Sequence, residues 1–170
     1  LTLTDTIILD VTPENEAPTA TNTDQTIEFA EDASATTLTT IIVSENDSIQ
    51  ASTDDTTASD DTTDETVTVT IALSDSAAGS FSADTGSGES FSSGTWSISG
   101  VSVTTANTAL DSLTYTPAEN YDKDASATIT VEDADGLTLT DTIILDVTPE
   151  NEVPTATNTD QTITFTEDAT

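Results

Sequence analysis

The chain has no histidine, no cysteine and no methionine, and its single base, Lys123, faces 33 acidic residues. Each absence excludes a class of chemistry. Without His or Cys the common nucleophile–base pairs cannot be built, and neither imidazole nor thiolate is present to hold zinc. No disulfide can staple the fold. A Ser–Lys pair would have to use Lys123, in a stretch that reads as an exposed loop. Carboxylate pairs for glycoside hydrolysis remain chemically open, but nothing marks one pair as buried in a cleft, so the expectation is a protein that is not an enzyme. A formal net charge of −32 is the wrong sign for nucleic acid or an anionic membrane surface. Apolar runs stop at three residues, as in Ile7-Ile8-Leu9 and Ile41-Ile42-Val43, far short of the roughly 20 that span a bilayer.

Thr, Ser, Asp and Ala dominate the 170 residues, and apolar residues make up 34%, below the roughly 45–50% of ordinary globular domains. That composition alone suggests disorder. The apolar residues, however, alternate with polar ones as strands require. Val67, Val69, Ile71 and Leu73 share one face of TVTVTIAL, and Ala127, Ile129 and Val131 share one face of ATITVED. Leu137, Leu139, Ile143, Leu145 and Val147 share a parity that Asp141 interrupts, which predicts a bulge or edge exposure there. Ile27 and Phe29 mark a first strand and Leu38 to Val43 a second. Phe81, Phe91, Trp96, Ile98, Val101, Val103, Leu113 and Tyr115 mark short strands between, with Trp96, Tyr115 and Phe81 as core fillers. Thr105–Asp111 is the one helical turn expected. Seven or more strands separated by turns predict an all-β sandwich with immunoglobulin-like topology.

The chain also repeats itself. Residues 137–170 copy residues 1–34 except at Ala17/Val153, Glu28/Thr164, Ala30/Thr166 and Ser34/Thr170, with a period of 136 residues. A repeat of domain length predicts a tandem array. Pro13-Glu14-Asn15-Glu16-Ala17-Pro18 and its copy Pro149-Glu150-Asn151-Glu152-Val153-Pro154 read as linkers, because proline on both sides stops a ladder. The predicted organisation is a last strand of a preceding repeat (1–15), one complete repeat (16–151), and the first strand of a following one (152–170). Leu1–Thr12 and Leu137–Thr148 then compete for one slot, and homotypic contacts between orphan strands of neighbouring molecules become possible.

Residues 95–154 carry a resemblance. ALDSLTYTPAENY (109–121), the Asp-Ala-Asp-Gly turn (133–136) and the acidic Asn-Glu-x-Pro linker (151–154) recur in one order, together with EFAED (28–32) in the first strand. This pattern resembles the cadherin-like repeats of giant surface adhesins of Gram-negative bacteria, including the repeat-in-toxin type. The resemblance implies an immunoglobulin- or cadherin-like sandwich at the cell surface, part of a Ca²⁺-stiffened stalk. Two positions depart from the pattern: Glu152 stands where Asp is usual, and Lys123 replaces a loop Gly.

The acids themselves point to the same cation, because Ca²⁺ takes 6–8 oxygen ligands from carboxylates, amides and carbonyls. In such a sandwich the first and last strands run the same way. Glu31-Asp32, the loop Glu119–Asp124 and the linker Glu150-Asn151-Glu152 then meet at the pole where the last strand ends. Asp133 and Asp135 lie at the other pole, beside Glu14-Asn15-Glu16. Ca²⁺ ligation is expected of Asp133, Asp135, Glu31, Asp32, Asp124, Glu14, Asn15, Glu16, Glu150, Asn151 and Glu152. The competing reading of Asp133 and Asp135 is a plain hairpin turn. Ser44–Glu65, low in complexity and acidic, reads as a long loop.

Two functions follow. One is a Ca²⁺-binding spacer whose partners are neighbouring repeats of the same chain. The other is an adhesive module holding a glycan, a surface or another copy of itself, with Ser74–Ser93 as the place to look. Neither inserts into a membrane.

Overall fold

A computed structural model describes residues 1–7, 15–45, 66–151, 153–164 and 167; Ser44–Glu65 therefore lies mostly outside the described residues, as do Glu14 and Glu152. The elements are β1 (Thr19–Thr21), β2 (Thr26–Ala30), β3 (Thr36–Thr37), β4 (Ile42–Ser44), β5 (Thr66–Leu73), β6 (Gly79–Ser82), β7 (Ser90–Ser92), β8 (Thr95–Ser102), α1 (Val103–Asp111), β9 (Thr114–Pro117), β10 (Ala125–Glu132) and β11 (Thr138–Thr148). A six-stranded sheet of order β2-β11-β10-β5-β8-β7 faces a three-stranded sheet of order β3-β9-β6, with β1 and β4 paired separately. This is an all-β sandwich. Among the described residues every pairing is antiparallel except β2 with β11, which is parallel.

The alternation read from the sequence is the alternation that is buried, except that Leu137, ahead of β11, is exposed. Val67, Val69, Ile71, Trp96, Ile98, Ala127, Ile129, Val131, Ile143 and Leu145 close one side of the core, and Phe81, Leu113 and Tyr115 close the other. Phe29 of the large sheet reaches Tyr115 of the small one with ring centroids 5.3 Å apart, and Phe81 packs on the same ring at 5.1 Å. Tilted rings at these distances are the favoured aromatic geometry. Helix α1 begins where Ser102 accepts the Thr105 N–H on its hydroxyl at 3.3 Å, a capping contact. It lays Ala106, Ala109 and Leu110 on the core.

One expectation is borne out in part and one is corrected: of the bulge or edge exposure expected at Asp141, only the edge exposure is found, because β2 pairs with β11 from Ile144 onward. The β10–β11 ladder passes Asp141, opposite Ile129, without a break; the irregularity lies between Val67 and Val69, across from Ile98 and Val101. Gly100, at φ +62°, lies in that offset and lets the strand buckle. Asp141 keeps the inward parity but sits where β2 no longer covers β11, and Thr23 donates to its carboxylate at 2.6 Å. The run Leu38 to Val43 is likewise not one strand. It crosses between sheets, and side chains replace the ladder: Gln25 accepts from the Thr39 N–H at 2.9 Å and Asn22 donates to the Thr40 carbonyl at 2.8 Å. Asn107 of α1 bonds both the N–H and the carbonyl of Val43, at 2.8 and 2.9 Å.

The slot of the last strand belongs to Leu137–Thr148. Leu1–Ile7 and Val153–Thr164 form no strand and leave Leu1, Leu3, Ile7, Val153 and Ile163 exposed.

Candidate functional site

Because β2 and β11 are parallel, both end at one pole, and β10 begins there. Glu31 follows β2 directly. Its backbone N–H extends the ladder to the Thr148 carbonyl at 2.9 Å, so its side chain is carried onto the sheet end, where it is only 6% exposed. There its Oε2 accepts the backbone N–H of Glu150 at 3.1 Å. Asp32 adopts the left-handed conformation at φ +60°, which turns the chain sharply, and its Oδ1 accepts the Asn120 N–H at 2.7 Å. Asp124 precedes β10 and accepts the Val147 N–H at 3.0 Å. This pole therefore gathers Glu31, Asp32, Asp124 and Glu150, each carboxylate of the first three tied to backbone. Asn151 follows Glu150 and is exposed. Asp75, not singled out in the sequence, joins the same pole through the Tyr121 hydroxyl at 3.2 Å.

At the opposite pole, Asp133 closes the β10–β11 turn. Its Oδ1 accepts the N–H groups of Asp135 and Leu137 at 3.0 and 2.8 Å, and Gly136 takes φ +89°, which only glycine adopts without strain. The hairpin-turn role is thus fully built. Asp133 does more, because its Oδ2 accepts the side-chain amide of Asn15 at 3.0 Å. Burial raises the Asp133 pKa, but the Asn15 amide and the turn N–H groups outweigh it and hold the carboxyl below its ordinary value. Asp135 and Glu16 are exposed beside this contact.

Two further carboxylates are held below their usual values: Asp141 by the Thr23 hydroxyl, and Glu89 by the Thr85 hydroxyl. Glu89 also takes the Thr85 and Ser87 N–H groups at 3.1 and 2.9 Å, and so organises the β6–β7 connection. The sequence marks Asp141 only as an interruption of the strand pattern, and Glu89 not at all. Asp141 left a trace there, as a polar residue on a core-facing parity; Glu89 left none, because its partners are backbone groups.

Among the described residues no group of three or more His, Cys, Asp and Glu converges to hold a metal ion, and no helix is long and apolar enough to cross a membrane. The predicted ligands are divided between the poles, part of a set at each: Asp133, Asp135, Asn15 and Glu16 at one, Glu31, Asp32, Asp124, Glu150 and Asn151 at the other. Compared with known proteins, the chain matches no family model and no curated protein.

Proposed function

We propose that this domain is a non-catalytic spacer of an extracellular bacterial adhesin stalk, repeated in tandem and stiffened by Ca²⁺ where successive copies meet. The observation that carries the reading is the sorting of buried or backbone-tied carboxylates to the two poles, each touched by one copy of the same linker sequence. In an array the two partial donor sets face each other across a joint. Glu31, Asp32, Asp124 and Glu150 of one copy and Asp133, Asp135 and Glu16 of the next would hold the ion, with Asn15 and Asn151 as amide donors. All are hard oxygen donors, as Ca²⁺ requires. The ion would supply positive charge to a joint that otherwise repels itself.

Thermal unfolding of the full chain in EDTA, in millimolar CaCl₂ and in millimolar MgCl₂ tests this. A rise in Tm specific to Ca²⁺ is expected, because a ligand that binds only the folded state stabilises it. Equal melting in all three would overturn the cation part of the reading.

A second reading, an adhesive module for a glycan, a surface or another copy of the domain, is favoured by one feature: Phe91, on the outermost strand of the large sheet, is 38% exposed. Retention on a glycan array that is lost in Phe91→Ala would support it.

A further inference from the structure

We infer that two consecutive linker residues bind two different copies of the domain, so that the joint is a hydrogen-bonded clamp even without a cation. The inference rests on the tandem reading above.

The linker occurs twice, Pro13-Glu14-Asn15-Glu16 and Pro149-Glu150-Asn151-Glu152, and the described residues of each are held in a different situation. The first enters the domain, and there Asn15 Nδ2 donates to Asp133 Oδ2 at 3.0 Å. The second leaves it, and there the Glu150 N–H donates to Glu31 Oε2 at 3.1 Å. In an array every linker leaves one copy and enters the next. Both contacts then fall on the same four residues. Glu31 of the preceding copy holds the N–H of Glu150, and the counterpart of Asp133 in the following copy holds the side chain of Asn151. The two contacts do not compete, since one uses a backbone donor and the other a side-chain amide.

A single peptide unit separates the anchored residues. With about 3.8 Å between their Cα atoms, the two anchor carboxylates stand no more than about 15 Å apart at full stretch. The domain holds the backbone of one anchor and the carboxylate of the other. Glu31 is tied into the β2–β11 ladder through its own N–H. Asp133 is oriented by Asp135 and Leu137 on its other oxygen. A connection this short, pinned at both ends by groups carried on the sheet, leaves the neighbouring domains little freedom to swing. The partner is therefore the next copy of this chain's own domain, and Asn151 is its positioning residue.

The test is the full chain lengthened by one 136-residue period, so that two complete domains share the joint at Glu150-Asn151. The sequence has no cysteine, so Thr128→Cys and the same change in the second domain give one pair of spin labels. In EDTA a single narrow distance distribution is expected. Its width should at least double in Asn151→Ala and in Glu31→Ala, and stay narrow in Glu31→Gln, which keeps the acceptor oxygen. Asn151 is exposed and outside every strand, so its variant carries the test even where Glu31→Ala impairs folding. A broad distribution in EDTA for the unaltered joint, or a width indifferent to Asn151→Ala, would overturn the clamp. Narrowing seen only with CaCl₂ would overturn the clamp and leave the cation reading standing. A narrow joint in EDTA combined with a Tm indifferent to CaCl₂ would do the reverse.

Discussion

Ile143 and Ile7 occupy the same place in two identical sixteen-residue sequences, yet Ile143 is sealed in the sheet at 0% exposure and Ile7 is 86% exposed. One sequence thus has two environments in one chain, which makes a controlled comparison. Ile143→Ala should cost about 2–5 kcal/mol through lost burial and the cavity left behind. Ile7→Ala should change stability by about 0.5 kcal/mol or less. Urea denaturation of both variants checks this, and a reversed ranking would mean that Leu1–Ile7 holds the β11 slot.

The Tyr115 hydroxyl donates to the Ala78 carbonyl at 2.7 Å inside the core, and Gly79 follows with no room for a side chain. A Cβ there would lie 2.3 Å from the Thr116 carbonyl oxygen and 2.8 Å from the Tyr115 hydroxyl. Tyr115→Phe should cost about 1 kcal/mol. Gly79→Ala should cost more, on the order of 2–3 kcal/mol, because backbone must move. Equal Tm values for the two variants would show that the contact geometry does not govern this corner.

Tyr115 also reports on alkaline stability. Burial, with the nearby Tyr121, pushes its pKa up to about 12. A folded value above the unfolded one means stability that is full below about pH 10 and is lost as pH rises towards 12. Tyr115→Phe should flatten that loss between pH 10 and 12, measured by denaturation at each pH. An unchanged slope would assign the loss to other groups.

Acid should act in two stages. The net charge of −32 at pH 7 shrinks as the carboxylates protonate, roughly half of them being neutral near pH 4, and relief of self-repulsion should raise stability in EDTA over that range. Below it the sign reverses. Asp133, Asp141 and Glu89 have folded values below their ordinary ones, so the stability they contribute is present above the unfolded pKa and lost as pH falls through the folded one. Stability in EDTA should therefore pass through a maximum near pH 4–5, about where carboxylates normally titrate. Asp133→Asn, which removes one of these groups, should lessen the fall on the acid side.

The large sheet was legible because four of its strands, β5, β8, β10 and β11, run for eight or more residues against a buried face; TVTVTIAL and LTLTDTIILDVT left no other period open. The helix was legible from a short alanine-containing run between strands, although it begins at Val103, which had read as strand. The small elements were not. Thr19–Thr21 and Thr36–Thr37 have no alternation to read, and the break inside Leu38 to Val43 depends on Asn22, Gln25 and Asn107, whose amides replace ladder bonds from distant places in the chain. Asp141 was correctly singled out: the edge exposure expected there is found, since β2 pairs with β11 only from Ile144 onward, while the bulge is not, and its partner Thr23, 118 residues away, was not legible. The polar placement of Glu31, Asp32, Asp124 and Asp133 followed from strand direction alone. That Asn15 and Glu150 touch them did not, since such contacts depend on side-chain reach rather than pattern.

The Asn15–Asp133 contact has a consequence for how near-identical copies mature side by side. A chain that carries the same final strand many times risks threading one copy's strand into its neighbour. For Leu1–Thr12 to enter the β11 slot of the following domain, Thr12 would have to lie at the far pole, a strand length of about 36 Å away from Asp133. From Thr12 to Asn15 there are three peptide steps, a reach of about 11 Å. While Asn15 stays on Asp133, the trespass is out of range. The short tether thus acts as a proofreader, letting almost identical text stand twice in one chain without its sentences running together.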